Sequence, residues 1–387
     1  MNYLYLSPEF PPNFQQFIIH LANLGVRVYG IGEADFFDLP ELVRSKLAWY
    51  VKTKLDHPQW VNEALNYMLE QNPILAQEGF QYVNGHNEAW LRLEAMLNER
   101  FQIAGHVNQA LVERWKKKSL MKQTFQELGF PVAAGGVPAD LNAALQLAGQ
   151  LGYPVIVKPD EGVGANGAAR INGPEELQAA WANMQEPYII EQLIDADMVT
   201  YDGLVDRHGQ VIFENSLVYS EGVMEAVQGH DLYFYVNPHI DLTLAAMGRR
   251  MVQAFELRER FFHFEFFKKG STFIPLEINC RPPGGPILDM INYSVDDDLY
   301  YRYALMIAKG QNKIPPKTRH YCLYIGRRDR DYRLAHQEVC QKYASSLVEA
   351  FENLPLYWPG MGRYRYILRF SQLEPLHQAV RDILALR

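Results

Sequence analysis

The sequence predicts a protein of several lobes that combines the α/β and α+β classes. Near the N-terminus, an extended apolar segment at residues 2–7 is followed by a helical pattern and then by Arg27-Val-Tyr-Gly-Ile31. A strand, a helix and a second strand in this order form the βαβ unit that builds parallel sheets. Residues 187–220 and 261–281 instead alternate extended segments with tight turns, which is typical of antiparallel sheet. A chain of 387 residues is too long for one simple core, so we expect two to four lobes.

Periodicity and the Gly and Pro positions predict the remaining elements. We expect helices near residues 40–56, 58–71, 88–99, 107–113, 114–128, 140–151, 174–184, 241–256 and 295–309, and from about Leu373 onwards. Short strands are expected at Gln81-Tyr-Val83 and Tyr321-Cys-Leu-Tyr-Ile325, and a tight turn at Asp206-Arg-His-Gly209.

Composition and charge exclude several classes of protein. The net charge of -8 argues against non-specific binding to nucleic acid. No segment approaches the roughly 20 apolar residues that a membrane span needs. The widely spaced Cys280, Cys322 and Cys340 fit free thiols in a reducing compartment. We therefore expect a cytoplasmic protein whose partners are neither nucleic acid nor membrane.

Four polar residues stand out in two segments that are otherwise rich in Phe, Ile and Leu. Glu265 lies in Phe261–Phe267, and Glu277, Asn279 and Arg281 lie in the segment that follows a turn. Side chains alternate between the faces of a strand, so the last three share a face, and Glu265 joins them if the segments pair as a hairpin. Two carboxylates and an amide oxygen suit Mg²⁺, whereas solvated strand faces with ordinary surface charges are the alternative.

A glycine-rich loop follows the apolar strand that ends at Lys158. Gly162, Gly164 and Gly167 match the pattern G-x-G-x-x-G of dinucleotide-binding folds. That fingerprint requires a helix directly after the loop, but here the strand-like Ala168-Ala-Arg-Ile171 follows. We therefore predict a hairpin flap whose backbone N–H groups approach phosphates, with a mobile surface hairpin as the alternative.

An acidic cluster, Glu191-Gln-Leu-Ile-Asp-Ala-Asp197, follows the apolar Tyr188-Ile-Ile190. Ile190 and Leu193 could flank a purine while the backbone at Gln192 and Leu193 reads its edge. A carboxylate such as Asp197 could accept hydrogen bonds from a ribose. An ordinary exposed turn is the alternative.

Taken in order, these segments resemble the ATP-grasp superfamily over roughly residues 110–312. Short strings also resemble a bacterial ATP-grasp group akin to the carbamoyl-phosphate synthase large subunit and purine-pathway ligases. They are Leu6–Pro12, Gly85–Trp90, Lys118–Lys122, Lys158–Gly164, Phe261–Phe267 and Arg281–Gly285. The resemblance implies a preATP-grasp, Rossmann-like domain at 1–112, ATP-grasp lobes at 113–190 and 191–312, and a small α+β piece at 313–387.

The resemblance also implies roles for individual residues. Lys118 and Lys158 would contact ATP phosphates under a flap formed by Gly162, Gly164, Ala165, Asn166 and Gly167. Glu191, Gln192, Leu193 and Ile194 would read adenine, and Asp197 would hold the ribose. Glu265, Glu277 and Asn279 would bind two Mg²⁺ ions, with Mn²⁺ as a substitute, and Arg281 would act with Lys158 in catalysis. One residue departs from the family: the ribose position is usually Glu, and Asp197 is one methylene shorter. Lys117 and Lys122 compete with Lys118 for the role of the first phosphate lysine.

The implied activity is an ATP-dependent carboxylate–amine ligase that forms an amide through an acyl phosphate and releases ADP and phosphate. One alternative phosphorylates bicarbonate or carbamate, as carbamoyl-phosphate synthase does, and another is a non-catalytic ATP-binding subunit. Glu221, Glu225, His230 and Asp231, within residues 219–235, would favour an amine substrate, with a surface loop as the alternative. Residues 313–387 would either mediate a homodimer or cover the site.

Overall fold

The described part of the chain contains three β-sheets. The computed structural model describes residues 1–103, 105, 107–162, 167–220, 231–314 and 319–387. The sheets have four, four and nine strands. Within these residues, none of the helices combines the length and apolarity that crossing a membrane requires.

The N-terminal sheet is parallel and confirms the predicted βαβ unit. Its strands are β1 Asn2–Leu6, β2 Arg27–Gly32, β3 Leu47–Lys52 and β4 Tyr82–Asn84, in the order β3-β2-β1-β4. Helix α1, Gln15–Asn23, connects β1 and β2. The prediction of one helix over 40–56 is wrong beyond residue 46, because α2 Glu41–Lys46 gives way to β3. Pairing of the aromatic and β-branched segment Leu47-Ala-Trp-Tyr-Val51 with β2 outweighs its helical pattern.

The helices that surround this sheet lead into the central lobes. They are α3 Pro58–Gln71, α4 Pro73–Glu78, α5 Leu91–Arg100, α6 Gln109–Lys116 and α7 Lys118–Glu127. Short 3₁₀ helices lie at Pro12–Phe14, Phe36–Asp38, Glu88–Trp90 and Pro355–Tyr357. The helix predicted over 114–128 is interrupted at Lys117, whose backbone is extended. The interruption places Lys118 at the start of α7.

The second sheet contains the predicted flap hairpin. Its strands are β5 Gly135–Gly136, β6 Val155–Pro159, β7 Ala169–Ile171 and β8 Tyr188–Gln192, in the order β5-β8-β6-β7. Helices α8 Leu141–Leu151 and α9 Pro174–Trp181 pack beside it. Strands β6 and β7 are antiparallel partners, which confirms the strand–loop–strand arrangement and rejects the Rossmann interpretation of the glycines.

The nine-stranded sheet joins the second central lobe to the C-terminal piece. Its strands are β9 Asp197–Val205, β10 Val211–Asn215, β11 Leu217–Tyr219, β12 Leu232–Val236, β13 Arg260–Lys269, β14 Thr272–Asn279, β15 Tyr321–Arg327, β16 Leu347–Glu352 and β17 Tyr364–Phe370. They follow the order β14-β13-β9-β11-β12-β15-β17-β16, with β10 paired to β9. Because β12 pairs with β15, one sheet spans the predicted boundary at 312/313, and the boundary itself stays a prediction.

The remaining helices are α10 Leu242–Ala254, α11 Ile287–Val295, α12 Leu299–Lys309, α13 His336–Lys342, α14 Trp358–Met361 and α15 Leu373–Leu384. Helix α10 covers one face of the large sheet, where Tyr201, Phe262 and Phe264 are buried. A Cβ on Gly248 would lie 2.0 Å from the Tyr201 ring, so only glycine lets α10 approach this closely. The opposite face of the large sheet carries the polar residues, and the candidate site lies on that face.

Candidate active site

The hairpin of β13 and β14 brings the predicted metal ligands together. Glu265 and Glu277 are directly opposed in the antiparallel register, and His263 is opposed to Asn279. Residues opposite each other on neighbouring strands have Cβ atoms about 5 Å apart. The structure therefore places Glu265, Glu277 and Asn279 on one sheet face. Alternation predicts this for Glu277 and Asn279, whereas Glu265 joins them through a bulge that follows it in the pairing of β13 with β14.

The two carboxylates differ in their electrostatic surroundings. The pKa of Glu277 is raised to about 7. Burial is the largest cause and the charge of Glu265 acts in the same direction, whereas the charge of Lys118 acts to lower the pKa. Burial also acts to raise the pKa of Glu265, but the hydrogen bond and charge of His263 lower it overall. Like charges in one buried site favour ionisation of only one member. A cation placed between them would allow both to ionise.

Lys118 lies beside these carboxylates. Its Nζ is 4.0 Å from Glu277 Oε1 and donates a hydrogen bond of 3.3 Å to the Gly162 carbonyl at the base of the flap. Lys117 points elsewhere, because its exposed ammonium pairs with Glu113 at 2.7 Å. Of the three candidate lysines, Lys118 is therefore the one next to the predicted metal ligands.

Lys122 lies on the same helix as Lys118, at the point where Lys158 and Glu191 meet. Lys158 Nζ lies 2.8 Å from Glu191 Oε2, and Lys122 pairs with the other oxygen of the same carboxylate. Burial acts to raise the pKa of Glu191, but the charges of Lys158 and Lys122 lower it overall. Two lysines and one carboxylate leave a net positive charge beside the 191–197 segment.

The rest of the predicted hinge is more open than Glu191. Gln192 and Asp197 are exposed, while Leu193 and Ile194 are half-buried. These residues connect the flap sheet to the large sheet through β8 and β9. Their predicted nucleotide contacts stay predictions.

Arg281 is held at the end of β14 by three partners. Its Nη2 donates to Asn279 Oδ1 at 3.1 Å, its Nη1 donates to the Pro282 carbonyl at 2.9 Å, and its Nε is 3.6 Å from Glu88 Oε2. Glu88 is a site residue that the sequence reasoning missed, although it lies in one of the strings of the resemblance. Burial raises its pKa, and its Oε2 has no hydrogen-bond partner among the described residues.

Several predicted residues fall outside the described part of the chain. They are Gly164, Ala165 and Asn166 of the flap and Glu221, Glu225 and His230 of the proposed acceptor segment. Gly162 and Gly167 flank the flap gap and are described. Asp231 pairs with Arg330 at 3.2 Å and accepts a hydrogen bond of 2.8 Å from Tyr332, so it contacts the C-terminal piece.

The C-terminal piece also reaches the loop after Arg281. A Cβ on Gly285 would lie 2.9 Å from Met361 Sδ, and the backbone of Gly285 has a positive φ of 60°. Asn13 of the N-terminal domain donates to the Gly285 carbonyl at 3.1 Å. Asn13 and Met361 therefore both lie beside this loop; a covering role and a homodimer role for residues 313–387 both stay predictions.

Comparison with known protein families finds a match in the central part of the chain. A model described as "ATP-grasp domain" matches residues 151–289. This part of the chain is therefore similar to an ATP-grasp domain. The match spans both Lys158 and the β13–β14 hairpin, and it is narrower than the 110–312 inferred from sequence. It confirms the predicted resemblance to the superfamily.

Curated and solved relatives agree with this assignment. D-alanine–D-alanine ligase of Pseudomonas putida is 36% identical over 94 residues, which is 24% of this chain and only 29% of that ligase. The L-amino acid ligase structure from Bacillus licheniformis superposes with a TM-score of 0.73 at 14% identity, covering 100% of this chain and 99% of that one. The biotin carboxylase domain of Hydrogenobacter thermophilus 2-oxoglutarate carboxylase, solved with MgADP and bicarbonate, gives 0.68 at 16% identity, covering 99% and 89%. Nearly the whole chain thus has the fold of these ligase and carboxylase structures.

Proposed function

We propose that the protein is an ATP-dependent carboxylate–amine ligase that forms an amide through an acyl phosphate. One observation carries the proposal: Glu265, Glu277 and Asn279 share one sheet face with Lys118 at 4.0 Å from Glu277. Arg281 follows at the end of the same strand. The ATP-grasp match and the ligases among the relatives support this chemistry.

The donor set fits Mg²⁺. Glu277 is a buried carboxylate with a pKa raised to about 7, so a divalent ion would offset the cost of its charge. No three His, Cys, Asp or Glu side chains converge as a metal site in the parts of the chain that the structure describes. Glu265 and Glu277 would therefore share the ions with the Asn279 amide oxygen and with phosphate oxygens. When bound, Mg²⁺ neutralises phosphate charge and favours phosphoryl transfer.

The lysines would hold the nucleotide. Lys118 lies between Gly162 and Glu277, so its ammonium faces the region shared by the flap and the metal ligands. Lys158 and Lys122 exceed the charge of Glu191 by one unit, which suits an anionic nucleotide. Asp197 would hold the ribose from its exposed position at the start of β9.

The proposed reaction has two displacements. A carboxylate oxygen of the first substrate attacks the γ-phosphorus, the bond to the β-γ bridging oxygen breaks, and ADP leaves. The amine nitrogen of the second substrate then attacks the acyl carbon. The bond between that carbon and the phosphate oxygen breaks, phosphate leaves with the bonding electrons, and the nitrogen loses a proton to give the amide. Arg281 would orient the carboxylate, because its guanidinium is fixed by Asn279 and Pro282. The flap would exclude water, which otherwise hydrolyses the acyl phosphate.

The substrates would be small molecules, and the reaction would take place in the cytoplasm. Cys280, Cys322 and Cys340 are free in the structure, as predicted, and free thiols persist where the surroundings are reducing.

A screen for phosphate release tests the proposal. Purified protein with Mg²⁺ and ATP is offered pairs of small carboxylates with amino acids or polyamines, and bicarbonate alone in a separate arm. Release that requires both a carboxylate and an amine supports the ligase, whereas release with bicarbonate alone supports the carbamoyl-phosphate-synthase-like alternative. ATP binding without turnover in any arm indicates a non-catalytic subunit. As matched variants, Arg281→Lys should lose turnover while the exposed Arg381→Lys keeps it.

A further inference from the structure

His263 and Asp202 form a buried pair directly behind the proposed metal ligands. His263 Nδ1 donates to Asp202 Oδ1 at 2.5 Å across the β9–β13 ladder. The His263 side chain is 7% exposed and that of Asp202 is 1% exposed. A charged carboxylate and an imidazole at this depth are costly unless each polar atom is engaged.

The second oxygen of Asp202 is also engaged. Thr200 Oγ1 donates to Asp202 Oδ2 at 2.6 Å, and the Leu217 amide donates to Thr200 Oγ1 at 3.1 Å. The Asp202 carboxylate is thereby fixed by one bond from β9 and one from β13. Because Nδ1 of His263 must donate to it, the ring orientation and the position of Nε2 are fixed as well.

Nε2 of His263 points at Glu265. Its distance to Glu265 Oε1 is 3.4 Å, and His263 and Glu265 lie on the same face of β13, two residues apart. Glu265 would otherwise be free to rotate about three side-chain torsions, and holding one conformer has an entropic cost. Histidine–carboxylate partners behind a metal ligand commonly fix its direction and change metal affinity 10- to 100-fold.

We propose that the Thr200–Asp202–His263 chain is a positioning device that holds the Glu265 carboxylate in its metal-binding direction. His263 is thus a positioning residue and not a catalytic one, since it acts through Glu265. The inference rests on the proposed function, because that function gives Glu265 its metal. It accounts for a buried Asp–His pair that the reaction itself does not use.

Metal binding tests the inference without reference to turnover. The dissociation constant of Mn²⁺ is measured by electron paramagnetic resonance at one pH, with a non-hydrolysable ATP analogue present in excess. The affinity of the analogue is measured separately in EDTA. His263→Leu removes the contact, His263→Gln retains an amide that can still donate to Glu265, and Glu265→Gln serves as the reference for loss of the ligand.

A matched control carries the same substitution at a distance. His336 Nδ1 lies 2.9 Å from the Tyr366 hydroxyl and its Nε2 lies 3.8 Å from Cys340 Sγ in the C-terminal piece, so His336→Leu removes an exposed histidine with two polar contacts. We expect His263→Leu to weaken Mn²⁺ binding about 10- to 100-fold. We expect His263→Gln to weaken it less, His336→Leu to leave it unchanged, and the metal-free affinity of the analogue to stay within about twofold throughout.

Each outcome has a definite meaning. Equal Mn²⁺ affinity in wild type and His263→Leu, or in wild type and His263→Phe if the Leu variant does not fold, overturns the positioning role and leaves the proposed function standing, because both variants remove the contact with Glu265. A parallel loss of analogue affinity in EDTA also overturns it, because that result indicates general distortion of the cleft. A wild-type protein that binds no Mn²⁺ with the analogue refutes the proposed function itself.

Discussion

Replacing Glu277 by Gln removes a charge that the metal-free protein holds at a cost. The carboxyl lies opposite Glu265, and its nearest cation, the Lys118 ammonium, is 4.0 Å away. Burial and Glu265 raise its pKa from 4.5 to about 7. Glu277→Gln keeps the shape of the side chain and removes the charge, so it should stabilise the metal-free protein while abolishing Mg²⁺-dependent turnover.

The size and the sign of the effect follow from the pKa. In the unfolded chain the Glu277 carboxyl loses its proton near pH 4.5, whereas in the folded chain it keeps the proton until about pH 7. The folded state therefore binds more protons in this window, and the free energy of unfolding falls as the pH rises through it. The loss above pH 7 is at most roughly 3.5 kcal/mol, at about 1.4 kcal/mol for each tenfold change in proton affinity. Glu277→Gln has no ionisable group at this position, so its free energy of unfolding does not fall in this way as the pH rises.

The assay is thermal unfolding in EDTA at pH 5, 6.5 and 8. The midpoint of Glu277→Gln, relative to wild type, should rise by a few degrees between the lowest and the highest pH. Glu265→Gln is the matched control with the opposite sign, because the pKa of Glu265 is lowered in the fold and its charge stabilises at high pH. Parallel pH profiles for wild type and Glu277→Gln would refute the reasoning, as would a Glu277→Gln variant that is less stable at pH 8.

Three further predictions use matched pairs or single contacts. Lys118→Met should lower Mg²⁺-dependent ATP turnover at least about 100-fold, while Lys117→Met, which loses only the exposed pair with Glu113, should stay within about twofold of wild type in the same assay. Gly248→Ala forces a Cβ to 2.0 Å from the Tyr201 ring and should lower the free energy of unfolding in urea by about 3 kcal/mol, whereas Gly149→Ala in α8 meets nothing within 4 Å and should raise it by up to about 1 kcal/mol. Glu94→Gln leaves the buried guanidinium of Arg260 without its carboxylate and should cost about 3–5 kcal/mol by the same measurement; a loss under about 1 kcal/mol would contradict this.

Part of the candidate metal face could be predicted from the sequence, because Glu277 and Asn279 share a face in any strand. The register set by the turn after Lys269 would oppose Glu265 to Leu276, and a bulge after Glu265 opposes it to Glu277 instead. The flap could be recognised for a similar reason, since the residues after the glycines have strand character instead of helical character. Both features depend on residues that are close together in the sequence.

Contacts between distant segments could not be predicted in this way. Asp202 and His263 are 61 residues apart, and they meet only through the register between β9 and β13. Glu88 reaches Arg281 only through the packing of the N-terminal domain on β14. Lys122 is different, because its spacing of four residues from Lys118 on one helix already indicates a shared face.

The predicted secondary structure is wrong at residues 47–52 and at residues 287–295. At the first, strand pairing outweighs a local helical pattern, and at the second, Pro and Gly residues obscure the start of a helix. Residues 47–52 have a helical pattern, but they form the edge strand beside β2. Helix α11 at Ile287–Val295 was missed, because the Pro and Gly residues at 282–286 indicate a loop and hide the helix start that follows Pro286. Pro286 is the N-cap residue directly before the first turn of this helix, so the same proline fits a loop and a helix start.

The pairing of β12 with β15 has a consequence for how this chain can be recombined. Five residue pairs, from Leu232 with Gly326 to Val236 with Cys322, join segments on either side of residue 312. A chimaera that exchanges residues 313–387 for the tail of a relative must reproduce this register, since a slip of one residue turns every side chain of β15 to the opposite face. The tail is therefore tied to β12 by strand register, and it is a poor candidate for a module that can be transplanted.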